Sequence, residues 1–167
     1  TDLEYAIQLK NIFEIHNIDP YTIDGAVMSS VVPSITETFE NAIKKLTGCT
    51  PMIVGPGMKT GLRITIDNPA QLGSDLVVGA VAALAEYPVP MVVIDFGTAT
   101  TFCAISEKGD YLGGTIAPGI KISSEALFQR ASKLPRVELA KPGTAICKNT
   151  VSAMQSGIIY GYVGLVD

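Results

Sequence analysis

Along the first fifteen residues the apolar positions Leu3, Ile7, Ile12, Phe13 and Ile15 recur with a rough helical period and stop near Asn17 and the Asp19-Pro20 turn. That spacing predicts an amphipathic helix. Residues 25–32 (GAVMSSVV) run from small to β-branched between Asp24-Gly25 and Pro33, the pattern of a short buried strand. Residues 33–47 predict a second helix, with a proline early, Glu37 and Glu40 in the first half, Lys44 and Lys45 near the end and Gly48 as a stop. This charge order suits the helix dipole. Residues 51–54 predict a strand that runs into the loop Gly55-Pro56-Gly57-Met58-Lys59-Thr60-Gly61, and residues 62–66 alternate as a half-buried strand does.

After the break at Asp67-Asn68-Pro69, Ser74 or Asp75 can cap an Ala/Val/Leu-rich helix that ends at Tyr87-Pro88. Strand patterns follow at 89–95, 100–106 and 111–117, joined by glycine-rich turns, and helices close the chain at about 120–133 and from Asn149 onward. The order αβαββα and then βββαα, with Pro88-Val89-Pro90 where the pattern changes, predicts an α/β protein of two small lobes, 1–88 and 89–167.

Composition adds a constraint. Of the 167 residues 47% are hydrophobic and only 17% charged, against about 25% charged in an ordinary soluble domain, so disorder is excluded. Mean hydropathy is +0.35, yet the apolar stretches at 77–85, 89–94 and 158–166 contain Gly or Pro and fall well short of the ~18 residues of a membrane span. A soluble chain is expected, its apolar excess divided between buried sheets and surface covered by a partner. With 16 acidic and 12 basic residues, and Lys44-Lys45 the only adjacent basic pair, there is no nucleic-acid footprint. Cys49, Cys103 and Cys147 are far apart, and His16 is the only histidine. They read as reduced, semi-buried thiols of a cytoplasmic protein. Thr1 is not an initiator and the last residues lie inside an apolar run, so the chain is expected to be cut at both ends.

The glycine loop at 55–61 is neither a Walker A, since Met58 separates Gly57 from Lys59, nor GxGxxG, whose third glycine falls at Thr60. Asp95-Phe96-Gly97 matches a kinase tripeptide without the His-Arg-Asp loop that should precede it. More informative is the whole run Asp95-Phe96-Gly97-Thr98-Ala99-Thr100-Thr101, where an apolar strand meets a carboxylate, a glycine and three hydroxyl residues before resuming as a strand. Such a turn can offer N–H groups and hydroxyls to phosphate and a carboxylate to a cation; it can also be a plain hairpin. Gly113-Gly114-Thr115-Ile116-Ala117-Pro118-Gly119 fits either close approach to a ligand or bulge chemistry. Ala153, Gly157, Gly161 and Gly164 form a small-residue stripe on the last helix, which needs a close neighbour because each glycine costs about 1 kcal/mol. Asp75, at a helix start, is either a cap or a base able to take an alcohol proton.

The string Val93-Ile94-Asp95-Phe96-Gly97-Thr98-Ala99-Thr100-Thr101-Phe102, the segment YLGGTIAPGIKISSEAL at 111–127, Leu134-Pro135-Arg136-Val137 and KNTVSAMQSGIIYG at 148–161 strongly resemble type III pantothenate kinase. Upstream, Ser29-Ser30-Val31-Val32-Pro33, the loop at 55–61 and Asp67-Asn68-Pro69 follow that family in the same order. The resemblance implies a ribonuclease-H-like fold of the actin-like ATPase and sugar kinase superfamily, in two lobes. Here the first would lack its N-terminal phosphate-loop strands and the second its C-terminal end. It further implies phosphorylation of pantothenate by ATP, opening coenzyme A synthesis, with Mg²⁺ and a monovalent cation (K⁺ or NH₄⁺), by a cytoplasmic homodimer. Position by position, Asp75 within Gly73-Ser74-Asp75-Leu76 matches the family's general base in its substrate segment, Asp95 its monovalent-cation ligand, Thr98 an ATP contact and Thr150 a pantothenate contact.

Three positions depart from the family pattern: Leu76 stands where an arginine is usual, Ile66 for a substrate-contacting tyrosine and Cys103 for an aspartate. Leucine cannot supply the cation an arginine gives a carboxylate, and Lys59 is the candidate replacement. Without the family's opening Asp-x-Gly-Asn-Thr turn this chain alone is expected to be inactive. Two alternatives stand beside the kinase: a non-catalytic regulatory member, as the family's name Bvg accessory factor suggests, and a kinase of a different small alcohol.

Overall fold

The computed structural model describes residues 1–167. Helix α1 (Asp2–Ile15) starts on a capping box, in which the Thr1 hydroxyl accepts from the Glu4 N–H at 3.4 Å and Glu4 answers the Thr1 amine. Strand β1 (Val27–Ser29), helix α2 (Pro33–Thr47) and strand β2 (Met52–Val54) then form a βαβ unit, its strands parallel with Val27 opposite Met52. Pro33 opens α2 and Gly48, at φ 77°, closes it with its N–H on the Lys44 carbonyl. Helix α1 lies on α2 through Tyr5 edge-on to Phe39 at 5.2 Å, and Lys45 reaches Asp2 at 2.6 Å.

The second half is built on an antiparallel sheet of β3 (Met91–Phe96), β4 (Ala99–Ile105) and β5 (Tyr111–Pro118), in that spatial order. Helix α3 (Ser74–Glu86) precedes it, and α4 (Ile120–Arg130) and α5 (Thr150–Val166) follow. Cys103, Ile105, Tyr111 and Ala80 are the centre of the core, with Leu62, Ile64, Leu72, Leu76, Leu84 and Val93 packed around them. This cluster draws residues from both sides of Pro88-Val89-Pro90.

The expected strand at 62–66 contracts to one bridge, Ile64 beside Tyr111, held by Tyr111 N–H to the Arg63 carbonyl at 2.8 Å and Thr65 N–H to the Tyr111 carbonyl at 2.9 Å. Strand β5 bulges immediately beyond, with Gly113 at φ 131°, and the bulge turns its edge away from further pairing. The buried strand expected at 25–32 is only three residues long, in a sheet of two strands, and leaves Val27 71% exposed.

Only 17 residues are buried, and the accessible surface is 11,340 Å², where a compact monomer of 17.6 kDa shows about 7,900 Å². The apolar excess therefore lies mostly at the surface instead of inside sheets: Val92, Phe96, Leu112 and Ile116 of the three-stranded sheet all stand more than half exposed. No helix is long and apolar enough to cross a membrane.

Candidate active site

The N-terminus of α3 is the centre of the candidate site. Gly73, not Ser74 or Asp75, occupies the cap position, and no side chain caps the helix. Ser74 is drawn elsewhere: its Oγ donates to the Ser30 carbonyl at 3.2 Å and accepts from Ser29 Oγ at 3.0 Å, which ties α3 to β1. Asp75 is then left exposed in the first turn, its Oδ1 accepting only the neighbouring Leu76 N–H at 2.9 Å. A Cβ on residue 73 would stand 2.5 Å from that Oδ1, so a larger residue there would make the Asp75 side chain turn aside.

Gly73 and Leu76, on either side of Asp75, line a cavity of about 450 Å³ between the segment 66–73 and one face of the three-stranded sheet. Ile66 and Cys103 line it too, so the three positions that depart from the family pattern meet in one place. Tyr111, on the same wall, donates its hydroxyl to Cys103 Sγ at 3.2 Å; burial, with the thiol beside it, pushes this phenol well above its ordinary range. Asp95, Thr101 and Ile116 are register partners across β3, β4 and β5, and Thr101 and Ile116 line the cavity. Thr101 is 8% exposed and its Oγ1 has no hydrogen-bond partner. The sequence reading named the hydroxyl-rich run from Asp95 to Thr101 as a whole and did not single out Thr101 within it.

Asp95 is exposed at the end of β3, and Thr98 is exposed in the β3–β4 turn with its carbonyl accepting the Gly119 N–H at 2.9 Å. A Cβ on Gly119 would collide with the Thr98 carbonyl and one on Gly114 with the Phe102 carbonyl, so both glycines serve close backbone contact between the turns and strands. Thr150 is not brought to this cavity. It opens α5 and lines a separate groove of about 1,270 Å³ between α4 and α5. Gly157 and Gly161 line that groove as well, and a Cβ on Gly157, Gly161 or Gly164 would touch nothing, so the small-residue stripe meets no close neighbour within the chain. The loop at 55–61 borders a third space of about 840 Å³, which shares Asn68, Gln71, Leu72 and Gly73 with the first cavity. Lys59 is exposed and lines neither of these two cavities. The chain has no group of three His, Cys, Asp or Glu side chains placed to hold a metal ion.

A family model described as type III pantothenate kinase matches residues 1–167. Among solved structures, a Campylobacter jejuni protein described as a conserved Baf family transcriptional activator superposes with a TM-score of 0.57 at 24% identity, over 91% of this chain and 67% of that one. The second likeness is one of fold.

Proposed function

Because the chain belongs to the type III pantothenate kinase family, we propose that its protein transfers the γ-phosphoryl group of ATP to the terminal hydroxyl of pantothenate, the first step of coenzyme A synthesis. The observation that carries this reading is the exposed Asp75 carboxylate at the start of α3, flanked by two residues that line a cavity large enough for a small substrate. Asp75 takes the proton of the attacking hydroxyl as the new O–P bond forms, and the P–O bond to the departing ADP breaks. The protein has little covalent chemistry to do in such a transfer, so positioning and charge neutralisation dominate. A general base adds about 10²–10⁴-fold.

Gly73, Ser74 and Leu76 place Asp75, with Ser74 anchored on β1, and Thr98 contacts ATP from the β3–β4 turn. Asp95 is the carboxylate that would hold a monovalent cation (K⁺ or NH₄⁺). With no three-ligand metal cage in the chain, Mg²⁺ would be held mainly by the phosphates of the nucleotide. A bound Mg²⁺ would supply positive charge to offset the charge that builds on the transferring group. The reading includes the ribonuclease-H-like architecture with lobes at 1–88 and 89–167, and a homodimer in which Thr150 contacts pantothenate. The large exposed apolar surface supports self-association.

A second reading, a non-catalytic accessory protein, is favoured by the apolar Ile66 and Leu76 and agrees with the activator description of the Campylobacter neighbour. Assay of the full-length protein for ADP release from ATP and pantothenate, with and without K⁺ or NH₄⁺, separates the two. Turnover stimulated by one of the cations is expected; no turnover under any cation overturns the pantothenate kinase in favour of the accessory protein or of a kinase of a different small alcohol.

A further inference from the structure

We propose that a small cavity between α4 and residues 136–139, of about 140 Å³, is a binding site for a phosphate group. Lys121, Ser124 and Glu125 line it from α4, and Arg136, Val137 and Leu139 from the segment beyond the helix. It shares no lining residue with the Asp75 cavity or with the groove between α4 and α5. Pockets for a whole drug-sized ligand begin at about 300 Å³, so this one suits a single polar group.

Three donors stand on its wall without a protein acceptor. Lys121 and Glu125 are four residues apart on one helix, the spacing of an ordinary surface ion pair, yet none of the chain's ion pairs includes Lys121, Glu125 or Arg136. The Arg136 guanidinium carbon lies 5.3 Å from the centre of the Phe128 ring, an attraction that consumes no N–H donor. Ser124 is only 8% exposed. Its hydroxyl has no partner, and it is not one of the sealed oxygens, which belong to Thr100 and Thr101, so it is open to the cavity the residue lines. An acceptor oxygen placed there removes the cost of that unmade bond. Two cations against one carboxylate leave the wall a net charge of +1. The N-terminus of α4 adds charge of the same sign, with no side-chain cap and no acid in its first turn. A phosphate offers separate oxygens to the ammonium, the guanidinium fork and the hydroxyl at once. Where it keeps a proton, Glu125 accepts it in a hydrogen bond. Once bound, phosphate would tie α4 to a segment that Gln155 of α5 already holds, through the Glu138 carbonyl at 3.0 Å.

The test is an NMR titration of the full-length protein with inorganic phosphate, at constant ionic strength and with saturating ADP to keep phosphate from the proposed nucleotide site. The Ser124 amide and the Arg136 Nε–H report on the cavity. We expect saturable shifts at both, with a Kd of about 1 mM. Ser124→Ala should weaken binding by about fivefold, and Arg136→Gln by about tenfold at unchanged Tm. Arg136→Lys, which keeps the charge and loses the fork, should restore only part of the affinity. Glu125→Gln should strengthen binding by about threefold, since it removes a like charge. Glycerol phosphate distinguishes the two sources: tighter binding than inorganic phosphate assigns the site to a phosphate ester, weaker binding to the free ion, and either bears out the inference. Shifts that never saturate, or saturable binding that both Ser124→Ala and Arg136→Gln leave unchanged, overturn it and leave the kinase reading untouched.

Discussion

Replacing Asp75 with asparagine tests its proposed role as base apart from the structural work of the α3 N-terminus. The side chain is exposed and its one hydrogen bond, from the Leu76 N–H to Oδ1 at 2.9 Å, can be accepted equally by the asparagine carbonyl oxygen. What the substitution removes is negative charge in the first turn of a helix that no side chain caps, a loss of about 0.3–1 kcal/mol. For a chain of this size each kcal/mol moves Tm by about 2–4 °C, so Tm should fall by no more than about 4 °C. Removal of the proton acceptor should lower kcat by about 10²–10⁴-fold. These two magnitudes cannot be confused. The measurements are steady-state ADP release and nucleotide affinity on the full-length Asp75→Asn protein, alongside its thermal melt. Affinity for ATP should be retained. A kcat within tenfold of the wild type refutes the base assignment, and a melting point lowered by 10 °C or more refutes the account of a carboxylate with only local bonds.

Three further outcomes follow from contacts elsewhere. Since the folded pKa of Tyr111 is raised above 10.0, the native state keeps its proton longer than the unfolded chain, and stability must fall as pH rises beyond 10, by up to about 1.4 kcal/mol per pH unit. Tyr111→Phe should flatten that alkaline decline in denaturant melts taken between pH 9 and 11. Gly114→Ala should destabilise by about 1–3 kcal/mol, read from urea unfolding, because the added methyl meets the Phe102 carbonyl across the β4–β5 ladder. The hydrogen bond from Lys45 holds the Asp2 carboxyl below 3.8, so its stabilising contribution is present above 3.8 and is lost as pH falls through the lower folded value. Lys45→Ala should return the Asp2 titration, followed by NMR, toward 3.8.

Elements whose ends are written in local chemistry were legible from sequence. Helix α2 spans Pro33–Thr47, the range its early proline, terminal lysines and Gly48 predicted, and strands β3 to β5 differ from their patterns by at most two residues at either end. Helix α1 carried a further signal in Thr1-x-x-Glu4, the capping box. Tertiary competition decided the rest. Ser74 suits a cap by residue type, but β1 offers its hydroxyl better partners, so Gly73 takes that position. The alternation at 62–66 is a fair strand pattern that finds only one residue of edge before the β5 bulge. In the candidate site, Asp75, Gly73 and Leu76 were named from sequence. The unpaired Thr101 hydroxyl was not, because an orphaned group is a property of its surroundings and leaves no trace in spacing.

The way Ser74 joins α3 to β1 also bears on how the molecule opens. The Ser29, Ser30 and Ser74 bonds are half-exposed and few, whereas β4 is stitched on both sides and its residues 103 and 105 are core. Helices α1 and α2 with their parallel strand pair should therefore be less protected than β4. Amide protons of α1 and α2 will exchange with solvent through a sub-global opening that leaves β4 closed. The N-terminal end of α3, held to β1 through Ser74, is where such an opening would first be felt.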